Sequence, residues 1–260
     1  MAFERVLARL VAEDPDVWLL KGGVALDYRL GEARSTGDLD LSSNISIAAF
    51  TEKLVQAVAT DLGDHFEVRV SSAPFRPVDE VETYRFQLDV RLNNKIFVKI
   101  SIDIGFADPW IGEAESLTSE TLVFAGAQPV VVRAIPIEQH IAEKIHAYTK
   151  SYNGHPSSRV KDLVDLVLLL GYRPLRASTL LFAIDTVFRN RNSHERPQNL
   201  PPPPPGWDKT YEKLSETLPI THDVTEAFRQ VASFLDPMLA DPTKEQWWDP
   251  EARAWRAGNV

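Results

Sequence analysis

Between Lys95 and Gly105 apolar residues take every second position: Ile96, Val98, Ile100, Ile102 and Ile104 alternate with Lys95, Phe97, Lys99, Ser101 and Asp103. A period of two predicts a strand with one face buried. Residues 83–92 read as its partner, and Asn93-Asn94 between them tolerates the left-handed geometry of a tight hairpin turn. Upstream, the apolar run Val17-Trp18-Leu19-Leu20 predicts a buried strand over 17–20, followed by a helix over 23–30 carrying Val24, Ala25, Leu26, Tyr28 and Leu30. The alternation in Asp38-Leu39-Asp40-Leu41 predicts another strand over 38–41. A helix over 47–61 and a strand near 65–71 complete this half, and the first sixteen residues read as a short amphipathic helix.

After Pro136 the period lengthens. Ile137, Ile141, Ile145 and Tyr148 fall on one helical stripe; Leu163, Leu166, Val167 and Leu170 fall on a second, which ends at Gly171 as a C-cap would. Further helices are expected over 178–188, 207–217 and 222–240. Five prolines, Pro201 to Pro205, cannot continue a helix and predict an extended spacer or a clamp across the surface. The tail with Trp247, Trp248 and Trp255 predicts packing rather than base stacking. The fold class expected is α+β: a mixed-sheet lobe over 1–125, then a mainly helical lobe over 126–260.

Composition narrows the function. The chain of 260 residues is 44% hydrophobic, enough for a real core, and the absence of cysteine excludes disulfides and thiolate metal sites. No apolar run approaches the roughly 20 residues that span a bilayer, and the acidic N-terminal helix is unlike a signal peptide, so a cytoplasmic protein without a membrane partner is expected. The net charge of −9 argues against a phosphate-backbone partner, but its distribution is uneven. Residues 133–196 hold 10 Lys and Arg against 6 acids, where residues 1–132 hold 12 against 21. A basic middle segment can receive a triphosphate and an RNA end, or it can simply solvate helices.

The candidate chemistry begins at Lys21-Gly22-Gly23. Two glycines at a strand-to-helix turn expose backbone amides, and the helix N-terminus adds partial positive charge, so a phosphate can rest there. Fifteen residues after Gly23, Asp38 and Asp40 share one face of a strand while Leu39 and Leu41 anchor the other. Two converging carboxylates can hold Mg²⁺ together with substrate phosphates. Between these motifs Arg34, Ser35, Thr36 and Gly37 supply a cation, two hydroxyls and a flexible joint. Asp103 is a candidate third carboxylate, with Asp89 on the partner strand as a competitor; the alternative for Asp103 is a cross-strand ion pair. Asp162 and Asp165 share a helix face, although acids at a helix N-terminus also answer the macrodipole. His140, His146 and His155 make no zinc site, since 140 and 146 lie on different helix faces and no further ligands accompany them.

The segments LKGGVALDYRLGEARSTGDLDL, IAEKIHAY and SRVKDLVDL resemble the AbiEii/MenT family of nucleotidyltransferase toxins from bacterial type IV toxin–antitoxin and phage-defence systems. The resemblance spans about Trp18 to Leu170. It implies a nucleoside triphosphate substrate, an acceptor at the tRNA 3′ end, blocked translation and a separately encoded antitoxin. It makes Lys144 a triphosphate-neutralising cation, which without it reads as a surface residue. It makes Asp162 an active-site acid, with Arg159 and Lys161 as phosphate or RNA contacts. The expected site is therefore Asp38, Asp40 and Asp103 on Mg²⁺; Gly22, Gly23, Arg34, Ser35, Thr36, Lys144, Arg159 and Lys161 on the nucleotide; and Asp162 orienting the reactants. Phosphorylation of Ser35 or Thr36 would place about −1.5 to −2 charges beside Asp38 and repel a triphosphate. A transferase acting on a cationic small molecule such as an aminoglycoside, or a non-catalytic nucleotide-binding module, are the alternative readings.

Overall fold

The computed structural model describes residues 1–31, 33–76, 83–106, 109–151 and 157–258. Most of the linker expected over 151–158, with Gly154 and Pro156, lies outside the described residues, as does His155. The chain divides into two compact units, Met1–Gly31 with Ser35–Ile135, and Glu32–Arg34 with Pro136–Val260.

In the first unit, α1 (Ala2–Glu13), β1 (Trp18–Lys21), α2 (Gly22–Leu30), β2 (Asp38–Ser43), α3 (Ile47–Ala59), β3 (Phe66–Val70), β4 (Thr83–Leu92), β5 (Lys95–Gly105), β6 (Glu115–Ser119) and β7 (Val130–Ala134) follow in chain order. Among the described residues the strands form one mixed sheet in the order β3-β4-β5-β2-β1-β7-β6. The alternation read from the sequence sets the core: Leu39, Leu41, Phe86, Leu88, Ile100 and Ile102 meet Val6, Leu7 and Leu10 of α1 and Phe50 and Leu54 of α3. Each fully buried Leu or Phe contributes roughly 1.5–3 kcal/mol. Asn93 and Asn94 both take positive φ, 48° and 63°, as the hairpin requires.

The lobe boundary expected at 125/126 differs from the division at Ile135/Pro136. The reason is β7, which runs parallel to β1 with Leu20 opposite Ala134, while Ile135 N–H donates to the Leu20 carbonyl at 3.0 Å. A strand paired on both sides, with β1 and β6, belongs to that sheet's unit.

The second unit holds α4 (Ile137–Thr149), α5 (Val160–Leu169), β8 (Leu175–Arg176), α6 (Ala177–Arg191), α7 (Asp208–Ser215), α8 (Val224–Ala240), β9 (Gln246–Asp249) and β10 (Ala254–Ala257). The three short strands form a small sheet ordered β10-β9-β8. It explains the tryptophan tail: buried Trp248 donates its indole N–H to the Leu170 carbonyl at 2.8 Å and packs edge-on against Phe234. Helix α5 stops just before Gly171, its cap one residue short of the position expected. The capping residue of α5 is Leu170 in right-handed geometry, and Gly171 N–H closes a tighter turn onto the Leu168 carbonyl. The proline run starts as a clamp, with Leu200 N–H bonded to Asp236 and the Tyr148 hydroxyl bonded to the Pro201 carbonyl, each at 2.8 Å. Among the described residues no helix is long and apolar enough to cross a membrane.

Candidate active site

In the first unit the polar face of the sheet is built by register. Lys21 on β1 stands opposite Asp40 on β2, Asp40 opposite Asp103 on β5, and Asp103 opposite Arg85 on β4. Directly paired residues project to the same side, so four charged side chains cross four strands in one row. The next row holds Asp38 and Ser101, with Gln87 donating to the Ser101 hydroxyl at 3.0 Å. Both motif aspartates therefore lie on one face, half-buried, while Leu39 and Leu41 are fully buried behind them.

The glycine motif is shaped around Asp40. Gly22 has φ +64°, and a Cβ there would fall 1.9 Å from the Asp40 carboxylate oxygen. A Cβ on Gly23 would fall 2.8 Å from Thr36. Thr36 is held in turn by its hydroxyl, which donates to the Asp38 carbonyl at 3.3 Å. That donor is thus directed at backbone rather than offered to a phosphate, whereas Ser35 is exposed. Gly22→Ala is expected to cost about 1–2 kcal/mol from left-handed strain alone, and to lower nucleotide transfer at least about tenfold by displacing Asp40. Gly31→Ala is the control: Gly31 is also left-handed, at φ +71°, but has open space around it, so melting falls while transfer per folded molecule stays. Equal loss of transfer in both variants would contradict the argument.

Asp103 realises the alternative reading, a cross-strand ion pair. It sits beside Asp40, but Arg85 grips both of its carboxylate oxygens, at 2.6 and 2.5 Å. Asp89 lies four residues along β4 from Arg85, opposite Lys99, whose ammonium is 3.6 Å away. Among the described residues no three His, Cys, Asp or Glu side chains are gathered as a preformed metal site.

The second unit contains a buried charge network that sequence spacing did not reveal. Lys144 on α4 bonds Asp162 at 3.1 Å and Asp165 at 2.7 Å, both carboxylates on α5 and fully buried. Arg34 forms a two-pronged bond to Asp165, both contacts at 2.8 Å, and Arg159 Nε donates to Asp162 at 2.9 Å. Three cations and two acids alternate as Arg34, Asp165, Lys144, Asp162, Arg159. Burial opposes both charges of the central pair, but the carboxylates of Asp165 and Asp162 outweigh it and hold the Lys144 ammonium above its ordinary value. Burial likewise raises Asp165, yet Lys144 and Arg34 hold it below the usual carboxylate range.

This network bears on several expectations. Lys144, which reads as a surface residue from the sequence alone, is buried between two carboxylates. Arg34, expected to meet the nucleotide, engages Asp165 with its guanidinium. Asp162 and Asp165 are not solvated helix-cap acids, being fully buried. The Arg159 side chain is a third exposed, and Lys161 reaches solvent. Desolvation of its ammonium and the neighbouring Arg159 hold Lys161 below its ordinary value. His146 bonds Ser193 at 2.9 Å and packs on His194, a polar cluster remote in sequence from the acids.

The family described as nucleotidyl transferase AbiEii toxin of type IV toxin–antitoxin systems matches residues 5–251. The chain belongs to that family. AbiEii proteins are nucleotidyltransferases, and this chain is one of them. MenT4, a nucleotidyltransferase toxin of Mycobacterium tuberculosis, is similar in fold with TM-score 0.59 and 17% identity, over 92% of this chain and 82% of that one. JHP933 of Helicobacter pylori is similar with TM-score 0.52 and 15% identity, over 92% and 91%. No curated protein matches the chain in sequence.

Proposed function

We propose that this AbiEii nucleotidyltransferase moves a nucleoside monophosphate from a triphosphate to a hydroxyl of RNA, the tRNA 3′ end being the acceptor that suits a toxin which blocks translation. The observation that carries the reading is the Asp38–Asp40 pair on one sheet face, with Asp40 fitted against the backbone of Gly22. The donor set suits Mg²⁺: hard carboxylate oxygens, few enough to leave positions for substrate phosphates, in a chain without thiolates. Asp38 and Asp40 would hold the ion, which when bound supplies charge stabilisation to the phosphates. Gly22 and Gly23 offer amides at the start of α2 to phosphate oxygens.

In the second unit Arg159 and Lys161 carry the cationic heads that reach solvent and suit phosphate oxygens. Lys144 and Asp162 act through Arg159, which Asp162 orients. The acceptor oxygen bonds the α-phosphorus as the bond to the bridging oxygen breaks, pyrophosphate leaves, and the hydroxyl proton passes to solvent. An antitoxin encoded separately is the expected cellular counterpart of the family.

The test is transfer of label from each α-labelled nucleoside triphosphate, with Mg²⁺, onto total RNA, comparing wild type with Asp38→Ala. One labelled tRNA band that vanishes in the variant is the expected result. Absence of label on RNA from every triphosphate overturns the RNA reading and turns the search to small-molecule acceptors.

A further inference from the structure

The row Lys21, Asp40, Asp103, Arg85 contains two acids and two cations. From it we infer that Arg85 is a positioning residue that keeps Asp103 out of the metal's ligand set in the nucleotide-free protein, so that a divalent ion meets only the Asp38–Asp40 pair. The inference rests on the proposed metal role of those two aspartates.

Three observations carry it. First, the guanidinium fork occupies both oxygens of Asp103, Nε on Oδ1 and Nη2 on Oδ2, and such a two-pronged pair is stronger and more directional than a point contact. Secondly, the fork is fixed by the fold: Arg85 and Asp103 are directly opposed in the antiparallel hairpin, and the next pair on the same face, Gln87 and Ser101, is also bonded. The register keeps both side chains next to each other on one face of the sheet. Thirdly, the same hairpin provides its own contrast. Asp89 and Lys99 are opposed in the same manner, but their contact is 3.6 Å and the Lys99 side chain is two-thirds exposed. The hairpin thus carries a tight lock beside Asp40 and a loose pair away from it.

The consequence is a site with low affinity for a bare divalent ion. Ligands that Asp38 and Asp40 do not supply would then come from the triphosphate oxygens. A released Asp103 would instead supply a third carboxylate next to Asp40, and carboxylate count is what tunes such affinities.

The experiment measures Mn²⁺ binding to the full chain without nucleotide, by the electron paramagnetic resonance signal of free Mn²⁺, with a melting curve for each variant. Arg85→Gln is expected to bind Mn²⁺ at least about tenfold more tightly than wild type. Lys99→Gln removes the same charge from the same hairpin without freeing a carboxylate beside Asp40, and is expected to change affinity less than about twofold. Arg85→Gln combined with Asp103→Asn should return to the wild-type value. If Arg85→Gln binds no more tightly than Lys99→Gln, the inference is overturned. Should Arg85→Gln fail to fold, Arg85→Lys keeps the charge but loses the fork, and an affinity equal to wild type overturns the inference in the same way. Asp40→Asn separates the two levels: if it leaves wild-type Mn²⁺ binding intact, the metal reading itself has failed, whatever Arg85 does.

Discussion

Asp40→Asn should lower the rate of nucleotide transfer by at least about 10³-fold, equivalent to roughly 4 kcal/mol of transition-state stabilisation. The substitution keeps the shape of the side chain and removes its charge. Asp40 stands between Lys21 and Asp103 in the charged row and against Gly22, so the substitution removes the carboxylate proposed to hold the metal without opening a cavity in the core. Melting should therefore move little. Initial rates of label transfer onto RNA, set beside a melting curve, check both halves; retention of a tenth or more of the rate would show that Asp40 holds nothing the reaction needs.

The largest stability effect is expected at Asp165. This carboxylate is fully buried, takes two bonds from Arg34 and one contact from Lys144. Asp165→Asn leaves three cations facing one acid, and breaking a buried pair in this way costs about 3–5 kcal/mol. Lys144→Met should cost clearly less, because each carboxylate then retains one arginine, Arg34 on Asp165 and Arg159 on Asp162. Denaturant unfolding of the two variants decides the order, and a Lys144→Met loss exceeding that of Asp165→Asn would contradict the network's charge balance. The pH dependence follows from the same pair. Asp165 is depressed, so its contribution is complete above the ordinary carboxylate value and is lost as pH falls below about 4. Lys144 is raised, so its contribution is complete below the ordinary lysine value and is lost as pH rises above about 10.5. Melting temperature should hold a plateau between these limits as far as this pair is concerned, and the difference between wild type and Asp165→Asn should shrink on the acid side.

What could be read from the chain was whatever depends on neighbours in sequence. Alternation disclosed β2 and β5, Asn93-Asn94 disclosed the hairpin, and helical stripes disclosed α4 and α5, because each pattern is the local trace of one buried face. β6 was missed since Glu115–Ser119 buries Leu117 and Ser119 among polar residues. β7 was missed although Val130-Val131-Val132 is rich in β-branched residues, a signal that a closer reading of the run before Pro136 could have used. Asp38, Asp40 and the glycines were visible as motifs. Arg85 and Lys21 were not, for their place in the row comes from pairing between strands. The network around Lys144 was hidden for a similar reason: Arg34 and Asp165 are 131 residues apart, and nothing local announces that either is buried.

The capture of residues 32–34 by the second unit, between a helix and a strand of the first, bears on how members of this family could be recombined. A single crossover at 135/136 follows the main division between the two units but would separate Asp165 from the arginine bonded to it. A chimera that exchanges the C-terminal half must carry the tripeptide along as a graft, or inherit an arginine at that link from its other parent. Inheritance of these two halves is therefore tied by one side chain, and substitutions at positions 34 and 165 should be accepted together more readily than singly.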